Sequence, residues 1–169
     1  MSIDLEKLSD FTRCFSEHIR LYYGHDPQKA SSLKFLGKTK YVFGENMVFT
    51  KPIQQRKHYL NEKEKIINTR QIRYDNEGDF IYLPKCNFDV EICIDAIRLM
   101  SKYDTLCLFS SDSDFISLIN FLKNNRKKVI LIKGGHALYP LKANSDLVIS
   151  AQEIKSNIAC IKQKSSLLS

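Results

Sequence analysis

Two short unbroken apolar runs, Leu106–Phe109 and Val129–Ile132, constrain this chain more than any other feature. A strand that is apolar on both faces must be covered on both faces, as inside a parallel sheet. A helical stripe lies between the runs: Phe115, Leu118, Ile119 and Leu122, ending at Asn124-Asn125. A second stripe upstream, Val90, Cys93, Ile94 and Ile97, predicts a helix to about Lys102. Gly134-Gly135 stops the second run. Strand and helix in alternation, with continuous apolar strands, argue an α/β layered domain with a mostly parallel sheet.

The first half is patterned more weakly. Leu5, Leu8, Phe11, Phe15 and Ile19 recur at helical spacing. Ile19–Tyr23 reads as a strand closed by the turn signal Gly24-His25-Asp26-Pro27. Residues 28–43 are weakly helical, with Leu33, Leu36 and Phe43 as core contacts, and Met47–Phe49 is a strand ended by Pro52. Ser150 and Glu153 form a capping box for a last helix. The expected sheet joins Ile19–Tyr23, Met47–Phe49, Leu106–Phe109 and Val129–Ile132.

Length and charge narrow the classes. At 169 residues the chain reads as one domain, residues 1–161, with 162–169 a tail. It is 43% hydrophobic and 27% charged, with 6 Gly and 4 Pro, which excludes collagen-like, low-complexity and wholly disordered chains. No apolar stretch approaches the ~18 residues of a membrane span, and no secretory signal pattern opens the chain. The five Cys are odd in number and form no C-x-x-C pair. They read as buried reduced thiols of a cytoplasmic protein. The four His form no metal-ligand pair. Lys and Arg outnumber Asp and Glu by 26 to 19, a net charge of +7 that is compatible with a polyanionic partner. Residues 51–84 form an irregular basic insertion or hairpin. Lys51, Arg56, Lys57, Lys63, Lys65, Arg70 and Arg73 are interleaved there with Tyr59 and Tyr74, and Asn76-Glu77-Gly78 marks a hairpin tip. That basic run reads either as a solvated arm or as a nucleic-acid contact.

The sharpest chemistry lies at Ser110-Ser111-Asp112-Ser113-Asp114-Phe115, between a buried strand and a helix. Ligands of parallel α/β sheets bind outside the carboxyl ends of strands. Two carboxylates placed there can share a hard cation such as Mg²⁺; one of them can equally cap the helix. Asp89 opens the preceding helix. On a wheel of ~100° per residue it lies within about 40° of Cys93, Ala96 and Met100, whereas Glu91, Asp95 and Arg98 fall roughly 180–240° away. Asp89 therefore points inward, as an N-cap or as a third ligand, and Glu91 and Asp95 face solvent. Arg126-Lys127-Lys128 adds a basic cluster where cations favour a helix C-terminus.

These segments resemble a known family. Lys85–Ala96, Tyr103–Leu106, Phe109–Phe115 and Ala143–Val148, with Ile3–Leu8 and Ile19–Tyr23, are similar to the LabA-like NYN domain, a branch of the PIN-like nuclease superfamily. The resemblance covers roughly residues 3–160, leaving 51–84 without a match. It implies a three-layer α/β/α fold and divalent-metal-dependent endoribonuclease activity. Asp89, Asp112 and Asp114 would be catalytic, metal-site acids for Mg²⁺ or Mn²⁺, with Ser110 and Ser111 beside them. RNA is the implied partner, with nucleic-acid backbone contacts from Lys51, Arg56, Lys57, Arg70 and Arg73. A homo-oligomer stays open. Two departures stand out. Ser111 occupies a position where the family has Gly. The family's first strand, which ends in Asp followed by Asn, precedes the first helix, and this sequence begins at the helix. The expectation is a sheet lacking its first central strand, with a vacant place beside Leu106–Phe109. The alternative reading is a catalytically weakened NYN-type RNA-binding or protein-interaction module. A phosphatase-type aspartyl nucleophile at Asp112-x-Asp114 is disfavoured by Ile116 and by the mid-chain position.

Overall fold

The computed structural model describes residues 2–160. In chain order the elements are β1 (Ser2–Ile3), α1 (Leu5–Arg13), β2 (Leu21–His25), α2 (Ala30–Phe43), β3 (Val48–Pro52) and β4 (Gln54–Tyr59). They continue with α3 (Glu62–Ile67), β5 (Arg73–Asp75), β6 (Gly78–Lys85), α4 (Asp89–Arg98) and β7 (Thr105–Phe109). The last are α5 (Ile116–Asn124), β8 (Lys128–Lys133), α6 (Tyr139–Asn144), β9 (Leu147–Ser150), α7 (Lys155–Ile158) and β10 (Ala159–Cys160). The class is mixed α/β with parallel sheets and helices. The chain falls into two compact units: Arg20–Asn87, and the segments on either side of it.

The unit containing the apolar runs is built on a parallel sheet of order β7-β8-β9, with Leu106 opposite Val129 and Ile130 opposite Leu147. Leu108, Val129 and Leu131 meet Leu118, Ile119 and Leu122 of α5 and Leu141 of α6 in one core. Five of these, Ile119, Leu122, Val129, Leu131 and Leu141, are fully buried. The β8–β9 pairing is anchored one residue before β9, where Asp146 N–H donates to the Val129 carbonyl and the Asp146 carboxylate accepts from Val129 N–H at 2.8 Å. Among the described residues β7 is an edge strand, hydrogen-bonded only to β8. Asp4 caps α1 by accepting from Glu6 and Lys7 N–H groups. The same helix meets α7, and β1 pairs antiparallel with β10.

Five expectations change, four of them in this unit. Of the predicted stripe on α4 only Cys93 packs against the core, beside Ala96, Ile92 and Met100, while Val90, Ile94 and Ile97 are exposed. Asp95 is buried rather than solvated, because Arg98 folds over it in a 2.7 Å ion pair that compensates the lost water. Helix α1 ends at Arg13, so Phe15 stays exposed. Glu153 does reach back to the Ser150 N–H, but the Ser150 hydroxyl takes the N–H of Gln152, and the helix proper waits until Lys155. All five thiols are free; Cys14 and Cys107 are exposed, not buried.

In the other unit, β2, α2 and β3 form a parallel pair with a helical crossover, Leu21 opposite Val48. The strand starts two residues later than the expected Ile19 and runs two residues past the expected end at Tyr23, through Gly24-His25. Glycine is needed at 24 for room: a Cβ there would stand 2.7 Å from Cys86 Sγ and 2.8 Å from Cys86 Cβ. On α2, Phe43 and Thr39 are buried and Leu33 is exposed. The 51–84 segment is more regular than its composition suggests. It holds an antiparallel sheet of order β4-β6-β5 and the short helix α3, whose capping box pairs Asn61 with Glu64. The predicted hairpin tip is present, with Asp75 opposite Gly78 across Asn76-Glu77 and Gly78 at φ 133°. Thus the expected four-strand sheet occurs as two separate parallel pairings, β2-β3 and β7-β8, the second extended by β9.

Candidate metal centre

Strand β7 delivers its chain into the loop at Ser110, and the loop is fixed by its own side chains. Ser110 N–H donates to the Ile132 carbonyl, extending the β7–β8 ladder by one bond. The Ser110 hydroxyl accepts from Asp112 N–H at 3.1 Å. The Ser111 hydroxyl accepts from Gly134 N–H at 3.1 Å, which ties the loop after β7 to the loop after β8. A glycine at 111 could not make that bond, so the serine adds a tether. Asp112 then caps the short 3₁₀ turn Ser113–Phe115 by accepting from Asp114 N–H at 3.0 Å. Phe115 anchors the turn in the core.

The third acid arrives from α4. Phe88, not Asp89, is the N-cap, and Asp89 is the first helical residue. There the N-terminal dipole favours a carboxylate. Its inward wheel position makes it half-buried, and burial together with the Asp89 charge raises the Cys93 thiol above its usual pKa. One carboxylate oxygen from each of Asp89, Asp112 and Asp114 lies within 4.8 Å of the others. Asp112 and Asp114 are exposed, so the cluster opens to solvent on one side. Asp112 both caps its turn and stands in the cluster of carboxylates, whereas Asp89 stands in it from the first helical position, after the N-cap residue.

The donor set fits a hard divalent cation. Three carboxylates offer oxygen only, the preference of Mg²⁺ and Mn²⁺ over thiolate- or imidazole-seeking metals. Mg²⁺ commonly keeps several waters and takes few protein carboxylates, which an open cluster allows. Among the described residues no other group of three or more His, Cys, Asp or Glu side chains is so placed.

The basic residues distribute differently. Lys51 lies on β3, and Arg56 and Lys57 alternate on β4, so they point to opposite faces. Lys57 pairs with Asp75 at 2.6 Å, which raises its pKa. Arg70 donates to the Tyr82 carbonyl at 3.3 Å, and the Arg73 guanidinium lies 5.2 Å from the Tyr82 ring centre. Lys57, Arg70 and Arg73 thereby gather around one sheet. In the 126–128 cluster, Lys127 donates to the Tyr103 carbonyl at 2.7 Å, a structural use of its charge. Tyr59, Phe80 and Tyr82, which form one aromatic row, were not separable in the sequence as a group; their registers across β4 and β6 are what unite them.

The NYN domain family model matches residues 3–154. A curated relative, the low amplitude and bright protein LabA of Synechococcus elongatus, is 27% identical over 95 residues, 54% of this chain and 51% of that protein. The chain thus spans about half the length of the curated relative it matches. The crystal structure of a protein of unknown function from Vibrio parahaemolyticus superposes with a TM-score of 0.59 at 19% identity, covering 88% of this chain and 78% of that one. That likeness is one of fold.

Proposed function

Because the chain belongs to the NYN domain family, within the PIN-like nucleases, we propose that it is a divalent-metal-dependent endoribonuclease whose acids are Asp89, Asp112 and Asp114. The observation that carries this reading is the convergence of three carboxylates from two separate elements to within 4.8 Å at the end of β7. A divalent ion held there supplies charge neutralisation at the scissile phosphate and a water of lowered pKa.

The residues of the chain do the positioning. Asp89 presents its carboxylate from the rigid first turn of α4. Asp112 has its orientation fixed by the Asp114 N–H, and its own N–H is held by Ser110. Ser111 locks the loop to Gly134 so that the acids keep their spacing. The Arg20–Asn87 unit supplies sequence-independent affinity for the phosphate backbone. It holds 13 of the 26 Lys and Arg but only 7 of the 19 Asp and Glu, a net +6 against +1 for the rest of the chain.

The test is cleavage of end-labelled RNA with Mg²⁺ or Mn²⁺, with EDTA, and after metal add-back, on the wild type and Asp112→Asn together. Asp112→Asn keeps the shape and the cap but removes one charge. The expected result is metal-dependent endonucleolytic products from the wild type and a loss of at least about a hundredfold in the variant. Cleavage that survives EDTA, or equal rates for the two proteins, would refute the reading. Metal-independent RNA binding without cleavage would make the protein an NYN-type RNA-binding module.

A further inference from the structure

The β4-β6-β5 sheet carries a feature that a metal-dependent nuclease site does not require. Residues directly opposite in an antiparallel pair share a face. Tyr59 is opposite Phe80, Lys57 opposite Tyr82, and Arg73 opposite Phe80. One face therefore presents Tyr59, Phe80 and Tyr82 with Lys57, Arg73 and Asp75, whose carboxylate accepts from Lys57 at 2.6 Å and from the Tyr59 hydroxyl at 3.1 Å. The rings stand edge to face, with centroids 5.8 Å apart for Tyr59–Phe80 and 5.5 Å for Phe80–Tyr82. Phe80 is buried beneath the row, with the Lys57 ammonium 4.4 Å above its centre. Tyr59 and Tyr82 stay 38% and 37% exposed, so each keeps ring surface available to a ligand. The ion pairs His58–Glu64 and Lys65–Asp79 link the strands to α3, and His58 and Asp79 belong to the other face by register.

We propose that this face is a stacking platform for unpaired bases of single-stranded RNA, with Tyr82 and Tyr59 receiving the bases and Arg73 facing the phosphates. The proposal rests on the reading of the chain as an RNA-acting protein and adds the surface that receives the bases. Three observations select the occupant. The aromatic surface is flanked by cations, as a polyanion with flat apolar rings requires. The guanidinium over Tyr82 leaves a cation–aromatic edge of the kind on which bases stack. The unit bearing the face holds nearly all of the net positive charge of the chain. Duplex RNA keeps its bases stacked on each other and offers none to the tyrosines.

The test uses the whole chain in EDTA, so that binding is read without cleavage. A fluorescein-labelled 12-nucleotide single strand and the same sequence annealed to its complement are titrated by anisotropy at several salt concentrations. The variants are Tyr82→Leu, Tyr59→Leu, Tyr82→Phe and Arg73→Gln, each checked by circular dichroism. The single strand should bind at least tenfold tighter than the duplex. Each Leu variant should weaken it about 5- to 100-fold with an unchanged salt slope, and Tyr82→Phe should stay within about twofold of the wild type. Arg73→Gln should lower the slope of log affinity against log salt by about one. Equal binding of strand and duplex, wild-type affinity in both Leu variants, or a Tyr82→Phe loss as large as that of Tyr82→Leu would overturn the proposal. The two readings fail separately. Metal-dependent cleavage with unaltered Leu variants removes the platform alone. Tyrosine-dependent binding by a wild type that never cleaves removes the nuclease alone.

Discussion

The two units of this chain are held together by different physics. The unit with the acid cluster contains 14 of the 18 buried apolar side chains among the described residues, and its net charge is +1. The Arg20–Asn87 unit contains Phe43, Val48, Phe80 and Ile81 as its buried apolar set and carries +6. Stability in the first comes from removing aliphatic surface from water. In the second it leans on backbone ladders, aromatic edges, cations over rings and exposed ion pairs, each of which is individually small. The acid cluster thus stands on the aliphatic frame, where carboxylate spacing is held by packing, and most of the net positive charge stands on the other.

The comparison breaks most easily at Leu122. It is fully buried, in the core shared by α5 and β8. Leu122→Ala should cost about 2–5 kcal/mol through lost transfer energy and the cavity left behind. Urea unfolding followed by circular dichroism measures the loss. Hydrogen exchange should show it in β7, β8 and α5. A loss below about 1 kcal/mol would mean that the aliphatic core does not dominate that unit.

The same difference decides what could be read in the sequence. Leu106–Phe109 and Val129–Ile132 announce strands because aliphatic residues fill both faces. Gln54–Tyr59 is a strand of the same length class, yet its residues are Gln, Gln, Arg, Lys, His and Tyr. Its stability comes from pairing with β6, and that partner is invisible in a local window. On α4 the apolar stripe misled, because Val90, Ile94 and Ile97 are aliphatic but exposed. The wheel centred on Asp89 placed Cys93, Ala96 and Met100 inward, as they are, but put Asp95 in solvent. The three acids were legible from strand–loop–helix placement and the family resemblance. The tether from Ser111 to Gly134 was not, because it joins loops 23 residues apart. Asp95 was misjudged for a local reason: Arg98 stands three residues away and covers it.

A smaller effect sharpens the comparison from the other side. In the basic unit, tight packing is confined to few places, and Gly24 is one. A methyl group at that position meets the Cys86 side chain and, at 3.3 Å, Ile53. Gly24→Ala should therefore cost about 1–3 kcal/mol by overpacking, although alanine is otherwise the better strand residue. The double variant Gly24→Ala with Cys86→Gly should recover part of the loss, since it removes the two closest atoms. No recovery would locate the strain in the backbone rather than in that contact.

Helix α5 ends with a left-handed residue that is not glycine. Arg126 has φ 60°, its N–H donates to the Lys123 carbonyl, and the Lys127 N–H donates to the Leu122 carbonyl. This pair of bonds is the Schellman closure, normally made with glycine at that position. Arg126→Gly relieves the Cβ strain and should stabilise the acid-bearing unit by about 1 kcal/mol. Arg126→Ala keeps the Cβ and should not, which separates backbone strain from charge. Thermal unfolding of the two variants reads the difference.

The smallest effect is a pH dependence in the same unit. Asp146 accepts from Val129 N–H and lies 3.2 Å from Lys123. The backbone bond first, and the lysine second, hold its carboxyl below the usual 3.8. A carboxyl depressed on folding contributes stability that is fully present above its unfolded value. That contribution is lost as pH falls through about 3.8 toward the lower folded value. The side chain is 37% exposed, so solvent screening keeps the contribution small. Asp146→Asn removes the charge while retaining an oxygen for Val129. The wild type should be the more stable protein at pH 7, and the gap should close as pH drops below about 3.8. Parallel urea titrations between pH 7 and 2.5 measure it. A gap that stays constant across that range would show that the hydrogen bond alone, not the charge, holds the start of β8 to the segment before β9.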